Sequence, residues 1–129
     1  MLQVARGTAR RIDKPGQVFN RIHVEDITQA IDAAFRLRAD GIFNVTDDEP
    51  TPQSVPIAFA SELLGIVPPP EIAFAEAAKM MSPMALSFYA ECKRVRNDKL
   101  KQVLGVRLRY PAYREGLRSL RARDGLEAR

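Results

Sequence analysis

The sequence predicts an α/β chain of limited extent, a few short strands interleaved with about five helices. Apolar residues recur at helical spacing from Val24 and again from Val55. Short extended runs stand between glycine and proline breaks. The chain is 129 residues long, which predicts a single domain over residues 1–129 with a modest core. Two to four short strands are too few for a free-standing doubly wound sheet covered by helices on both faces.

Taken in order, Met1–Arg6 holds good helix formers and Gly7 stands as a stop, but no Ser, Thr, Asp or Asn precedes them as a cap. The segment reads equally as the tail of an element or as a frayed N-terminus. Ala9–Ile12 and Val18–Ile22 are expected to be extended around the turn Lys14-Pro15-Gly16. A helix follows from Val24, with Ile27, Ala30, Ile31, Ala34 and Phe35 as its apolar stripe. Glu25 and Asp26 lie in its first turn, where carboxylates suit the helix dipole. Ile42–Val45 is expected to be a short buried strand running into the acidic loop 46–50.

Gln53 or Ser54 opens a second helix, with Phe59 and Leu63 as core, and Gly65 closes it before the stiff run Pro68-Pro69-Pro70. Glu71–Phe74 is expected to be extended and Ala75–Met80 helical. Ser82-Pro83 caps a helix through Ala90, with Met84, Phe88 and Tyr89 packed inward. Arg94–Arg96 is expected to be a brief strand. Asn97 is expected to cap a short helix that turns Leu100, Val103 and Leu104 inward. After Tyr110-Pro111, a last helix carries Tyr113, Leu117 and Leu120.

Composition excludes several classes. At 46% hydrophobic and 28% charged, the chain is neither disordered nor fibrous. The longest mainly apolar stretch, around Ile57–Val67, is broken by Glu62 and falls short of the ~20 residues that span a bilayer. No leader pattern opens the chain, and a single cysteine, Cys92, supports no disulfide framework, so a cytoplasmic protein is expected. One cysteine and one histidine cannot form a zinc site. The run Asp47-Asp48-Glu49 is expected to be solvated rather than to hold a cation. No metal site is expected.

Charge is unevenly spread. Residues 1–92 carry eight Lys/Arg against twelve Asp/Glu, whereas residues 93–129 carry twelve against four. This leaves open a small nucleic-acid- or protein-binding module built on Arg107, Arg109, Arg114, Arg118, Arg121 and Arg123. A solvated helix face explains the same charges without a ligand, so nucleic acid is not the expected partner.

Two spacings bear on chemistry. Tyr89 and Lys93 stand four apart, which on a helix would set an ammonium near a phenol. The run Asn20-Arg21-Ile22-His23-Val24-Glu25-Asp26-Ile27 is followed by Ile42-Phe43-Asn44-Val45, then by Lys93–Leu100, Leu104-Gly105 and Arg109–Leu117. In this order they resemble the C-terminal portion of extended short-chain dehydrogenases/reductases, the NAD-dependent epimerase/dehydratase family. The resemblance covers residues 9 to 122. It implies part of a Rossmann-type epimerase without the cofactor-binding half: the glycine-rich loop and the upstream catalytic Tyr-x-x-x-Lys of that family have no counterpart here, and Tyr89 with Lys93 is not that pair.

The resemblance implies a substrate-binding lobe. Arg21, His23, Tyr89, Lys93 and Arg94 are its candidate substrate-binding residues, and no catalytic or cofactor-binding residue is expected. His23 and Asp26 have plain structural readings as well, at a helix start. NAD or NADP is implied for an intact family member, and no cofactor for this chain alone. A small polar metabolite or nucleotide-sugar is the implied substrate. Apolar surface on Ile22, Ile42 and Val45 predicts a homo-oligomer.

Overall fold

A computed structural model describes residues 1–125 and is of the mixed α/β class, with two parallel strands and seven helices where about five were expected. Helix α1 (Leu2–Ala5) has no side-chain cap and ends ahead of Gly7, whose φ of +69° lies in the left-handed region. Strand β1 (Arg11–Asp13) pairs in parallel with β2 (Glu71–Ala73), with Ile12 opposite Ile72. Between them in sequence run α2 (Val24–Arg36) and α3 (Ser54–Leu64), and α3 packs on α1, β1 and the last helix, α7 (Tyr113–Asp124). Two short helices follow β2, α4 (Phe74–Ala78) and α5 (Pro83–Ala90), then α6 (Asp98–Gln102).

Two apolar clusters hold these pieces. One gathers Val4, Ala9, Ala60 and Leu64, with Ile57 and Leu117 against it. The other sets Ala30 and Ala33 of α2 on Leu100, Leu104 and Val106, with Phe43 and Val45 packed alongside.

Several expectations are corrected. The stripe of α2 is divided: Ala30 and Ala33 are buried, while Ile27, Ile31 and Phe35 face outward, Phe35 with 81% of its surface exposed. Small alanines allow the 100–106 segment to approach closely, and the bulkier residues occupy the other side. Ile42–Val45 and Arg94–Arg96 form no strand, because no neighbouring strand among the described residues offers them a ladder. The 18–22 segment makes only a single antiparallel bridge, Phe19 with Thr51.

Asn97 precedes α6 but does not cap it. Its amide donates instead to Thr46 O at 2.8 Å and Asp48 Oδ1 at 2.7 Å, tying the acidic loop to α6. Met84, Phe88 and Val103 are exposed rather than packed inward, whereas Tyr89 is buried.

Candidate functional site

Two cavities divide the predicted site residues. The smaller, about 250 Å³, lies between α7 and the 21–23 segment. Arg21 and His23 line it together with Asp47, Tyr110, Tyr113 and Leu117. His23 is the N-cap of α2, its Nδ1 accepting from the Glu25 N–H at 3.2 Å. That leaves the ring proton on Nε2, which is buried without a hydrogen-bond partner. The ring stacks on Tyr110 with centroids 3.8 Å apart, and a Cβ on Gly116 would come within 3.2 Å of it.

Arg21 donates through Nη1 to Phe19 O, Thr51 O and Thr51 Oγ1 at 2.7–3.1 Å, tying the 19–21 strand-like run to the start of α3. Burial pulls its pKa below the usual guanidinium value, with Asp47 opposing. Asp47 is itself buried, which pushes its carboxyl up to about 6; the Glu49 N–H and the Arg21 charge pull the other way.

The larger cavity, about 540 Å³, lies over the parallel strand pair and under α4 and α5. Tyr89 closes one side. The ring meets Phe19 edge-on at 5.2 Å and lies beside Phe74 at 5.1 Å, and Lys14 Nζ donates to the Tyr89 carbonyl. Burial raises the phenol pKa. Arg10, Ile12, Ile72 and Phe88, which share this cavity, were not among the expected site residues, Phe88 being expected in the core; the i, i+2 spacing of Arg10 and Ile12 at a strand is the signal that could have found two of them.

Lys93 and Arg94 line neither of these two cavities. Lys93 lies beyond the end of α5, so the Tyr89–Lys93 spacing is not helical and the ammonium pairs with Glu91 instead, at 2.5 Å. Both residues are exposed.

The acidic loop is engaged by the protein itself: Asp48 pairs with Lys101 and Glu49 with Arg114, at 2.5 and 2.6 Å. Among the described residues no group of three or more potential ligands could hold a metal ion. The basic second half is engaged as well. Arg109 pairs with Glu25, Arg114 with Glu49 and Arg123 with Asp124, while Arg118 lies over the Phe59 ring. No helix among the described residues is long and apolar enough to cross a membrane.

A dinucleotide finds no cradle among the described residues. Neither strand runs through a glycine-rich turn into a helix: β1 leads to Lys14-Pro15-Gly16 and β2 directly into α4.

The parallel strand pair, the small helices over it and the α2 arm have the fold of part of an epimerase-type short-chain dehydrogenase/reductase. A 3-diazoavenalumate denitrifying reductase from a Streptomyces species is 30% identical over 96 residues, which make up 74% of this chain and 32% of that protein. A functionally unknown conserved protein of Silicibacter pomeroyi DSS is 54% identical with a TM-score of 0.85, across 92% of this chain and 42% of its own.

The human epimerase family protein SDR39U1 (isoform 2), solved with NADPH, superimposes with a TM-score of 0.76 over 92% of this chain and 40% of that one. At 16% identity the likeness is one of fold. No family model matches. The chain thus spans about a third of the curated relative's length and about two fifths of the two solved chains.

Proposed function

We propose that this chain is the C-terminal, substrate-binding portion of an NAD(P)-dependent epimerase- or reductase-like protein, and that the cofactor is held by a separate glycine-rich portion. The observation that carries this reading is the 540 Å³ cavity over the β1–β2 pair, floored by apolar side chains and of a size that takes a small organic molecule. The relative named as a reductase and the NADPH-bound neighbour support the reaction class. In an intact protein the cofactor would supply the hydride. This chain's residues would bind the substrate, orient it and exclude water.

The outward face of α2 supports the same arrangement. Val24, Ile27, Ile31 and Phe35 share one side of that helix and are exposed, a poor surface to leave in water. The solved relatives continue for more than half their length beyond what this chain matches, and we assign this face to the cofactor-binding portion.

The test uses the chain alone and then mixed with the part of the Silicibacter protein that lies outside the match. The chain alone is expected to show no saturable NADPH binding by fluorescence titration up to about 1 mM, a concentration that would half-fill a site of about −4 kcal/mol. The mixture is expected to bind NADPH, and Phe35→Ser is expected to weaken its assembly. A micromolar NADPH dissociation constant for the chain alone would overturn the proposal.

A further inference from the structure

We infer that the larger cavity takes a flat apolar molecule carrying a single carboxylate, with Arg10 as the anchoring cation. The inference rests on reading this lobe as the substrate-binding portion.

The geometry begins with the alternation of β1. Arg11 turns to one side, where its guanidinium donates to Glu71 Oε1 at 2.8 Å and to the Pro69 carbonyl at 3.2 Å. Its neighbours Arg10 and Ile12 point to the other side, and both line the cavity. Ile72, opposite Ile12 in the strand pair, extends the same apolar floor. Of two adjacent arginines, one is therefore used by the fold, and the other forms no salt bridge among the described residues.

Gln53 holds Arg10 at the cavity edge. Its side-chain amide donates to Arg10 O at 2.9 Å and accepts from Ile12 N–H at 3.0 Å. Both of its functional groups are occupied by the backbone on either side of Arg11. Arg10 is exposed and immediately precedes β1, and its backbone is clamped to the start of α3 by this pair of hydrogen bonds.

The lining then selects the ligand. Arg10 is the only charged side chain on the cavity wall among the described residues, and no carboxylate faces it. Gln3, Thr8 and Gln53 add uncharged polar groups at one side, and the rest of the wall is apolar, chiefly Phe19, Phe88, Tyr89 and Met80. Ring faces and a methionine suit a flat apolar body, and one guanidinium suits one carboxylate in bidentate contact. A nucleotide-sugar carries two diphosphate charges, for which this wall has one cation among the described residues.

The test is calorimetric titration of the 129-residue chain with trans-cinnamate, trans-cinnamamide and UDP-glucose. Cinnamate is expected to bind one to one. The amide, which keeps the ring and loses the charge, is expected to bind about tenfold more weakly, the scale of one charged hydrogen-bonded contact. Arg10→Gln is expected to weaken cinnamate by about the same tenfold factor and to leave the amide unchanged. Phe88→Ala, at a residue 65% exposed and so outside the core, is expected to weaken both ligands together.

Equal binding of acid and amide, no binding of cinnamate, or tighter binding of UDP-glucose would each overturn the inference. Turnover of a nucleotide-sugar by the reconstituted mixture would overturn it too, while leaving the substrate-lobe reading intact. Cinnamate binding by a mixture that fails to bind NADPH would do the reverse.

Discussion

Asp26 is fully buried, and its carboxylate joins α2 to the segment that leads into α7. Oδ1 accepts from the Arg109 N–H at 2.8 Å and from Gln29 Nε2 at 2.6 Å, and Oδ2 accepts from the Tyr110 N–H at 3.0 Å. Asp26→Ala removes the acceptor of two backbone donors that have no other partner among the described residues. Each stranded N–H costs about 1–3 kcal/mol, and because these donors are only partly buried the lower half applies, for a sum of about 3 kcal/mol.

That is a large share of the ~5–15 kcal/mol that holds a domain of this size. Urea unfolding followed by circular dichroism at 222 nm measures it. With a slope of about 1.5–2 kcal/mol/M, the midpoint should fall by roughly 1.5–2 M. Asp26→Asn keeps one acceptor but turns an amide donor toward the second N–H, so about half the loss is expected. A midpoint for Asp26→Ala within 0.5 M of the parent's, on the order of 1 kcal/mol by the same slope, would refute the view that this carboxylate joins the two segments.

Three further outcomes follow from the structure. Asp47 binds its proton more tightly folded than unfolded, since burial lifts its pKa from 3.8 to about 6. The native state therefore holds more protons between those values, and stability should fall as pH rises from about 4 to 6 by an amount on the order of 2 kcal/mol. Asp47→Asn should flatten that part of a urea-midpoint-versus-pH curve. Gly65 closes α3 with φ at +69° and has open space around its α-carbon, so Gly65→Ala should cost about 1 kcal/mol in thermal melts through backbone strain alone. The chain by itself should self-associate through its exposed apolar surface, α2 and Ile42 included. Sedimentation velocity should show Ile31→Ser/Phe35→Ser shifting it toward monomer without loss of helix, and a monomeric parent at 100 μM, a concentration of roughly −5.5 kcal/mol on the affinity scale, would count against this.

Local signals in the sequence located most helices. Ser82 followed by Pro83 opens α5, with Ser82 Oγ accepting from the Ala85 N–H at 3.2 Å, and Gly65 ends α3. These devices act within one turn of chain, so the residues that make them are adjacent in sequence. The order of the His-Val-x-Asp, Phe-Asn and Leu-Gly segments likewise pointed to part of an epimerase-type fold, which the structural likenesses bear out.

Tertiary structure alone decided which side of α2 is covered. The helix is apolar around more than half its circumference, and only the position of Leu100 and Leu104 selects the alanine face. It also separated Arg21 and His23 from Tyr89 by seating them on different cavities, and brought Arg10 and Phe88, 78 positions apart in sequence, to the wall of one cavity. An asparagine just before a helix can cap it without help from the rest of the chain, and local sequence at Asn97 says no more than that. The acidic loop some fifty residues earlier offered its amide better partners, and no periodicity or spacing encodes such a long-range choice.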